Sequence, residues 1–341
     1  MRLGIWTPLP HTLAPEPRMT RAVEELGSPG SGAGPDASFR FAVDILQKAE
    51  RLGFDMTLIA ARHLGPDLEA WTLASALAMA TTKMELMVAA HPGVNTPQMV
   101  AKMGASLDRI SAGRLAVNVV NGWNVEEFNT FGNGAWLTDQ ADRYRRMDEF
   151  IEVLKGLWNR DPFSFEGKFY RVDDSRLPLK PRRAPSPPIY AASRSPAGKD
   201  VIARFCDHWF VPDLGDFRRF DETAALIRAE IADMNRRAAR LGRRIGYGLS
   251  AHVVCRPTIE EAVARAGELE AHGRLARYNK SSIAGLGACL VGTPEVIAAR
   301  LAVYEELGVE LALFQFSPME AGLDRFAADV LPLLGKRAAA I

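Results

Sequence analysis

Short apolar runs alternate with segments of helical period along the whole chain. Leu3 to Trp6 is the first run. Phe41, Ile45, Ala49 and Leu52 then recur at helical spacing, the signature of one buried helix face, and Gly53 can end that helix. MTLIA (56–60) predicts a second strand and Trp71 to Ala80 a helix; MELMVAAH (84–91) predicts a third strand, with Thr96-Pro97 starting a helix that ends near Gly113. LAVNVV, opening at Leu115, is the fourth strand, and its helix runs from about Gln140 to Trp158. PPIYAAS (187–193), HWFVP (208–212), GYGLSAHVV (246–254) and LALFQF (311–316) continue the pattern as strands five to eight. A further helix spans about Pro294 to Leu307, closed by Gly308. FSFEGKFYRVDD (163–174) alternates around Glu166-Gly167 and predicts a small hairpin insertion within about 160–186.

Eight strand–helix units in order predict an α/β fold, a (β/α)8 TIM barrel with insertions, because parallel strands need crossover helices. The whole of 1–341 reads as one domain, a length within the range of a single large barrel. A doubly wound sheet is disfavoured: TPLPHTL follows the first strand, where a dinucleotide fold would carry its glycine-rich turn. In a barrel the chemistry belongs at the C-terminal ends of the strands.

Composition narrows the function classes. Hydrophobic residues are 48% and charged residues 24%, as in soluble globular proteins, and the formal net charge is +1. That balance favours neither nucleic acid nor an acidic membrane surface. The arginines clustered at Arg143, Arg145 and Arg146, and from Arg236 to Arg244, read as solvated helix faces with acids nearby. Cys206, Cys255 and Cys289 are scattered, which gives no disulfide framework and no metal cluster and suits a reducing cytoplasm. No signal peptide or membrane-spanning run is visible.

The strand ends carry amides, histidines and hydroxyls with few carboxylates. Arg62 and His63 follow strand two, His91 ends strand three, Asn118 and Asn121 belong to strand four, and His252 lies in strand seven. Paired-carboxylate hydrolysis and metal-dependent aldol chemistry would want acids there. Ser193-Arg194-Ser195 precedes a helix beginning near Pro196. Small hydroxyl residues, backbone N–H groups and a helix N-terminus converge there, which suits a phosphate, although Ser195 also reads as an ordinary N-cap. This inventory fits a site that binds a phosphate-bearing cofactor and leaves the hard chemistry to it.

Three blocks carry a family resemblance: TPQMVAKMGASLDRISAGRLAVNVVNGWNVEEFNTFG (96–132), DRYRRMDEFIEVLKGLWNRDPFSFEGKFYRVDD (142–174) and LVGTPEVIAARLAVYEELGVELALF (290–314). Together they make the chain resemble the bacterial luciferase-like flavin monooxygenases, most of all the two-component alkanesulfonate and dimethyl sulfone group. The resemblance runs from about Leu3 to Leu334. It implies a barrel enzyme that takes reduced FMN from a separate NAD(P)H-dependent flavin reductase, reacts it with O2 to a peroxyflavin, and oxygenates a small organosulfur substrate. It also implies a homodimer or homotetramer.

By the same resemblance, the flavin phosphate region matches Ser193, Arg194 and Ser195, a flavin-contacting tyrosine matches Tyr144, and Asn118 faces the isoalloxazine. His252, His91 and Arg62 are the further catalytic candidates. Trp6, Trp123 and Asn124 are candidate substrate contacts. The family's mobile lid corresponds to about 272–292, a stretch without pattern that brings Arg274, Arg277, Tyr278 and Lys280. Departures bear on the substrate. Gln140 stands where the family often has histidine, and Ala89 where several branches have threonine or serine. The alkanesulfonate branch's Cys near Asp67, Arg near Ser250, Tyr near Phe316 and Arg near Ile283 are all missing, which weakens its sulfonate clamp. Trp6, Arg62 and Tyr278-Asn279 are shared with the dimethyl sulfone branch. The alternatives are oxygenation of a nitrogen heterocycle or another small carbon compound, and a non-catalytic flavin-binding relative.

Overall fold

The computed structural model describes residues 1–11, 35–122, 124–275 and 284–335. Twelve strands are numbered in chain order among these residues. They are β1 (Arg2–Trp6), β2 (Met56–Ile59), β3 (Glu85–Ala90), β4 (Leu115–Val119), β5 (Phe163–Glu166), β6 (Arg171–Ser175), β7 (Ile189–Ala192), β8 (His208–Phe210), β9 (Gly246–His252), β10 (Val254–Cys255), β11 (Val291–Gly292) and β12 (Val309–Gln315). Eight of them close into a parallel barrel in the order β1-β12-β9-β8-β7-β4-β3-β2. The fold is thus the (β/α)8 barrel that the alternation of runs predicts.

The barrel strands read as unbroken apolar runs because both faces are buried. One face points inward: Met56, Leu58, Met87, Ala116, Tyr190, Leu311 and Leu313 form an interior cluster, with Trp6 and Phe210 packed on it. The other face, including Ile5, Val88, Val117 and Phe314, meets the surrounding helices in the larger core. Several of those helices start with a hydroxyl residue before proline. Thr96, Ser195 and Thr293 each accept a backbone N–H of the first turn while proline fills the position that needs no donor.

Three stretches differ from expectation. The strand expected over 246–254 ends as a barrel strand at His252, and Val254–Cys255 pairs instead with Val291–Gly292. A short helix, Val125–Thr130, follows β4, started by the Asn124 side chain accepting from Glu126 N at 3.1 Å. The stretch 272–292 has regular structure at both ends: the helix Ile259–Leu275 on one side, then the buried 3-10 turn Gly285–Ala288 and β11 on the other. Arg277, Tyr278 and Lys280, between those ends, lie outside the described residues, as does Trp123.

β5 and β6 form an antiparallel hairpin on the flank of the helix Gln140–Asn159. Glu149 of that helix fixes it, accepting the backbone N–H groups of Lys168, Phe169 and Tyr170 at 2.9, 2.8 and 3.2 Å. Arg146, one turn earlier, overturns the solvated-face reading of its cluster. Arg145 stays exposed, whereas Arg146 is buried over the Phe128 ring and donates to Ala135 O. An amphipathic helix holds a guanidinium inward here because the loop at Gly93 and the short helix carrying Phe128 close over it.

Candidate functional site

Inward-facing residues at the strand C-terminal ends build the site. On β4, Asn118 lies in register with Ala89 of β3, two residues below His91 on the same face. On β9, His252 lies in register with Gln315 of β12. Trp6 ends β1 and donates its indole N–H to Ser250 Oγ of β9 at 3.1 Å. The period of two therefore carries Trp6, Asn118, Ser250, His252 and Gln315 to one end of one cavity wall.

That wall holds polar atoms without partners. Among the described residues, His63 Nε2, His91 Nδ1, Asn118 Oδ1, Asn121 Oδ1 and Gln315 Nε2 are buried and make no hydrogen bond. An unmade bond in a buried place costs about 1–3 kcal/mol, so a group of them at one end marks where a ligand's donors and acceptors go.

Burial keeps two of the histidines there, His91 and His63, neutral. Burial pushes the His91 imidazole down to about 3, helped by the neighbouring His63 and Arg62. His63, edge-on to His91 at 5.2 Å and tilted against Phe131 at 5.5 Å, is also lowered by burial, against the opposing pull of Glu127 and Glu69. Arg62 meets an acid from the helix after β4. Its Nε lies 3.4 Å from Glu127 Oε1, while Asp67 binds His11 at 2.7 Å and Glu69 caps the helix Ala70–Ala80. Glu127, a buried carboxylate absent from the sequence candidates, thus balances the charge that Arg62 brings. Asn124 serves its own helix as N-cap.

A second constellation sits at the end of β7. Tyr144 Oη is 2.8 Å from Ser193 Oγ, which is 3.3 Å from Ser195 Oγ. Ser195 also accepts from Gly198 N at 3.1 Å, so the N-cap and the hydroxyl cluster are the same residue. Glycine is required at 198, since a Cβ there would lie 2.0 Å from Ser193 Oγ and 2.5 Å from Tyr144 Cε1. Three hydroxyls and the N-terminus of the helix Pro196–Phe205 make a neutral, donor-rich cradle of the kind that holds a phosphate. Arg194 does not join it: its side chain is 70% exposed, with Nη2 donating to Asp213 O at 2.8 Å and 3.7 Å from Asp213 Oδ1.

A model of the luciferase-like monooxygenases matches residues 19–311, most of the chain. The chain belongs to the luciferase-like monooxygenase family. Among curated relatives of this luciferase-like monooxygenase, an FMNH2-dependent dimethylsulfone monooxygenase of Pseudomonas putida is 33% identical over 323 residues, covering 85% of this chain and 86% of the relative. A protein of the same description from Pseudomonas fluorescens (strain Pf0-1) is 31% identical, covering 85% of each. Among solved structures, EDTA monooxygenase from Chelativorans sp. BNC1 superposes with a TM-score of 0.77 at 20% identity, over 98% of this chain and 93% of that one, which shows the shared barrel.

The structure brings together Asn118, His91, His252 and Trp6 around one cavity end, and Tyr144, Ser193 and Ser195 in the cradle. Sequence reasoning missed Glu127 and Gln315. For Gln315 the signal was present: counting by twos from Leu311 and Leu313 lands on it.

Proposed function

We propose that the protein is an FMNH2-dependent, two-component monooxygenase of a small, neutral organosulfur compound, with a sulfone as the substrate class. The observation that carries this is the hydroxyl cradle at β7 beside a wall of unpartnered amides and neutral imidazoles. FMN fits both parts. Tyr144, Ser193, Ser195 and the helix N-terminus hold its phosphate, and the Asn118 carbonyl oxygen, on the neighbouring strand, is an unsatisfied acceptor for a flavin ring N–H. When bound, reduced FMN supplies two electrons to O2, one oxygen atom going to the substrate and the other leaving as water.

The chain's own residues bind, orient and exclude water. His91, neutral and buried, holds a hydrogen-bonding position without carrying a charge to the reacting oxygen. His252, fully buried at the end of β9, faces the substrate side as the proton-handling candidate. Arg62 is matched by Glu127 and Arg194 by Asp213, so neither offers a sulfonate an uncompensated charge. An NAD(P)H:FMN reductase supplies the reduced flavin by diffusion, and the enzyme works as a homo-oligomer.

The test uses the purified chain, FMN, NADH, an unrelated flavin reductase and O2, with dimethyl sulfone, short alkanesulfonates and pyrimidines followed by NMR. Consumption of the sulfone that requires both reductase and chain is the expected result. Turnover of sulfonates or pyrimidines in its place would replace the substrate class. Flavin oxidation with no substrate consumed across a broad panel would favour a flavin carrier.

A further inference from the structure

We infer that Gln315 is the residue that recognises the substrate's oxygen acceptor, donating its amide N–H to a sulfonyl oxygen. This rests on the organosulfur reading above and names how that site reads its substrate.

Gln315 is the last residue of β12 and shares the inward face of Leu311 and Leu313. Its backbone is pinned, because its carbonyl accepts Val253 N at 2.9 Å. The next residue, Phe316, points the other way, into a ring cluster 6.2 Å from Phe314 and 5.7 Å from Phe326. The alternation therefore delivers the Gln315 amide, not the Phe316 ring, to the cavity. The residue is 4% exposed, and its Nε2 is buried with no partner among the described residues. An amide nitrogen has two N–H donors and no charge, so it suits a neutral acceptor and gives no ion pair to an anion.

The surroundings select the substrate side of the cavity. The cradle at β7 and Asn118 on the adjacent β4 hold the flavin on one side of the barrel. Gln315 stands across it, on β12 between β1 and β9. Its neighbour Trp6 has already committed its indole N–H to Ser250 Oγ, which leaves the indole as an apolar ring wall while the Ser250 O–H stays a second neutral donor on β9. Neutral donors beside one apolar wall match a sulfonyl group with its two oxygens beside a methyl group. His252, in register with Gln315, lies within the same patch.

Gln315→Met keeps the size and removes the donor, and Gln315→Glu keeps the shape and offers only acceptors. With FMNH2 supplied by a reductase, each is expected to raise the KM for dimethyl sulfone by about tenfold or more, the loss falling on KM more than on kcat. Binding of FMN, read by quenching of its fluorescence, should stay within about twofold and reports folding for each variant. A second readout needs no turnover: saturation-transfer NMR of dimethyl sulfone with the flavin-free protein should weaken in both variants. A KM within twofold of wild type for Gln315→Met, or an undiminished NMR signal, overturns the assignment. Wild-type protein that binds dimethyl sulfone but never consumes it would instead sink the functional reading, and the NMR comparison would still judge Gln315. Absence of any dimethyl sulfone signal in wild type sinks both.

Discussion

The two ends of the barrel treat their polar groups in opposite ways. At the strand N-termini, Glu85 is shared between Arg2, at 2.5 Å, and Arg183, and His208 lies flat on Tyr190 at 4.2 Å. A cavity of about 410 Å³ beside the start of β1 is lined by Met1, Leu3, Leu301 and Leu334, none with an unpartnered buried polar atom. At the C-termini, amides and imidazoles are buried without partners, while Arg62 and Arg194 are matched by Glu127 and Asp213. One end is satisfied within the chain and contributes stability. The other is left incomplete, as the proposed flavin and substrate site requires. His208 Nδ1, unpartnered at the stable end, is the exception, and burial lowers the affinity of that ring for a proton.

Substitutions can break this contrast or sharpen it. The largest effect is expected from Tyr144→Phe combined with Ser193→Ala, which removes two hydroxyls from the cradle. FMN affinity should fall about a hundredfold, at roughly 1.5 kcal/mol per hydrogen bond to a charged group. Riboflavin, lacking the phosphate, should bind both proteins alike; an equal loss for riboflavin would place the phosphate elsewhere. Gly198→Ala comes next. Forcing a Cβ onto Ser193 Oγ should cost about 1–3 kcal/mol, read as roughly 5- to 150-fold weaker FMN binding with an unchanged circular dichroism spectrum.

A third test uses pH. The His91 pKa, about 3 when folded against an ordinary 6.5, means its neutral form belongs to the native state. That contribution is intact above pH 6.5 and is lost as pH falls towards 3, by ~2 kcal/mol at pH 5. Denaturation midpoints at pH 7 and pH 5 should therefore diverge more in wild type than in His91→Asn; parallel curves would mean that His91 titrates normally. The smallest effect belongs to the other end. Glu85→Gln should lower stability by roughly 1 kcal/mol, since Arg2 is well exposed, and leave FMN affinity where it was. A loss of flavin binding there would erase the distinction between the ends.

Much of the architecture was legible in the sequence because both faces of each barrel strand are buried, so each strand writes itself as an apolar run. Ser193 and Ser195 stood out as short hydroxyl residues before a proline-started helix, and Tyr144 only through the family resemblance; the structure puts the three side by side. Arg146 was misread for a local reason: its neighbour Arg145 is exposed, and the approach of the Gly93 loop and of Phe128, both outside its own helix, buries the second guanidinium. Arg194 was expected beside Ser193 and Ser195, but composition gives a charge and not its direction, and Asp213 draws the guanidinium aside. Glu127 could not be found from its own helix, since its partner Arg62 comes from the loop after another strand. Gln315 was hidden in plain view by the phenylalanines on either side.

The hairpin of β5 and β6 joins the molecule mainly along the helix Gln140–Asn159: Glu149 takes three consecutive backbone N–H groups, Asp142 pairs with Lys168, Phe150 meets the Tyr170 ring, and Phe163 presses on the bare face of Gly156. None of the closing contacts of the barrel passes through it. Such an arrangement makes the hairpin an exchangeable part. Over evolutionary time a lineage can lengthen it, shorten it or trade it for another without reopening the sheet, provided the acid on the helix still meets three amides of whatever replaces it.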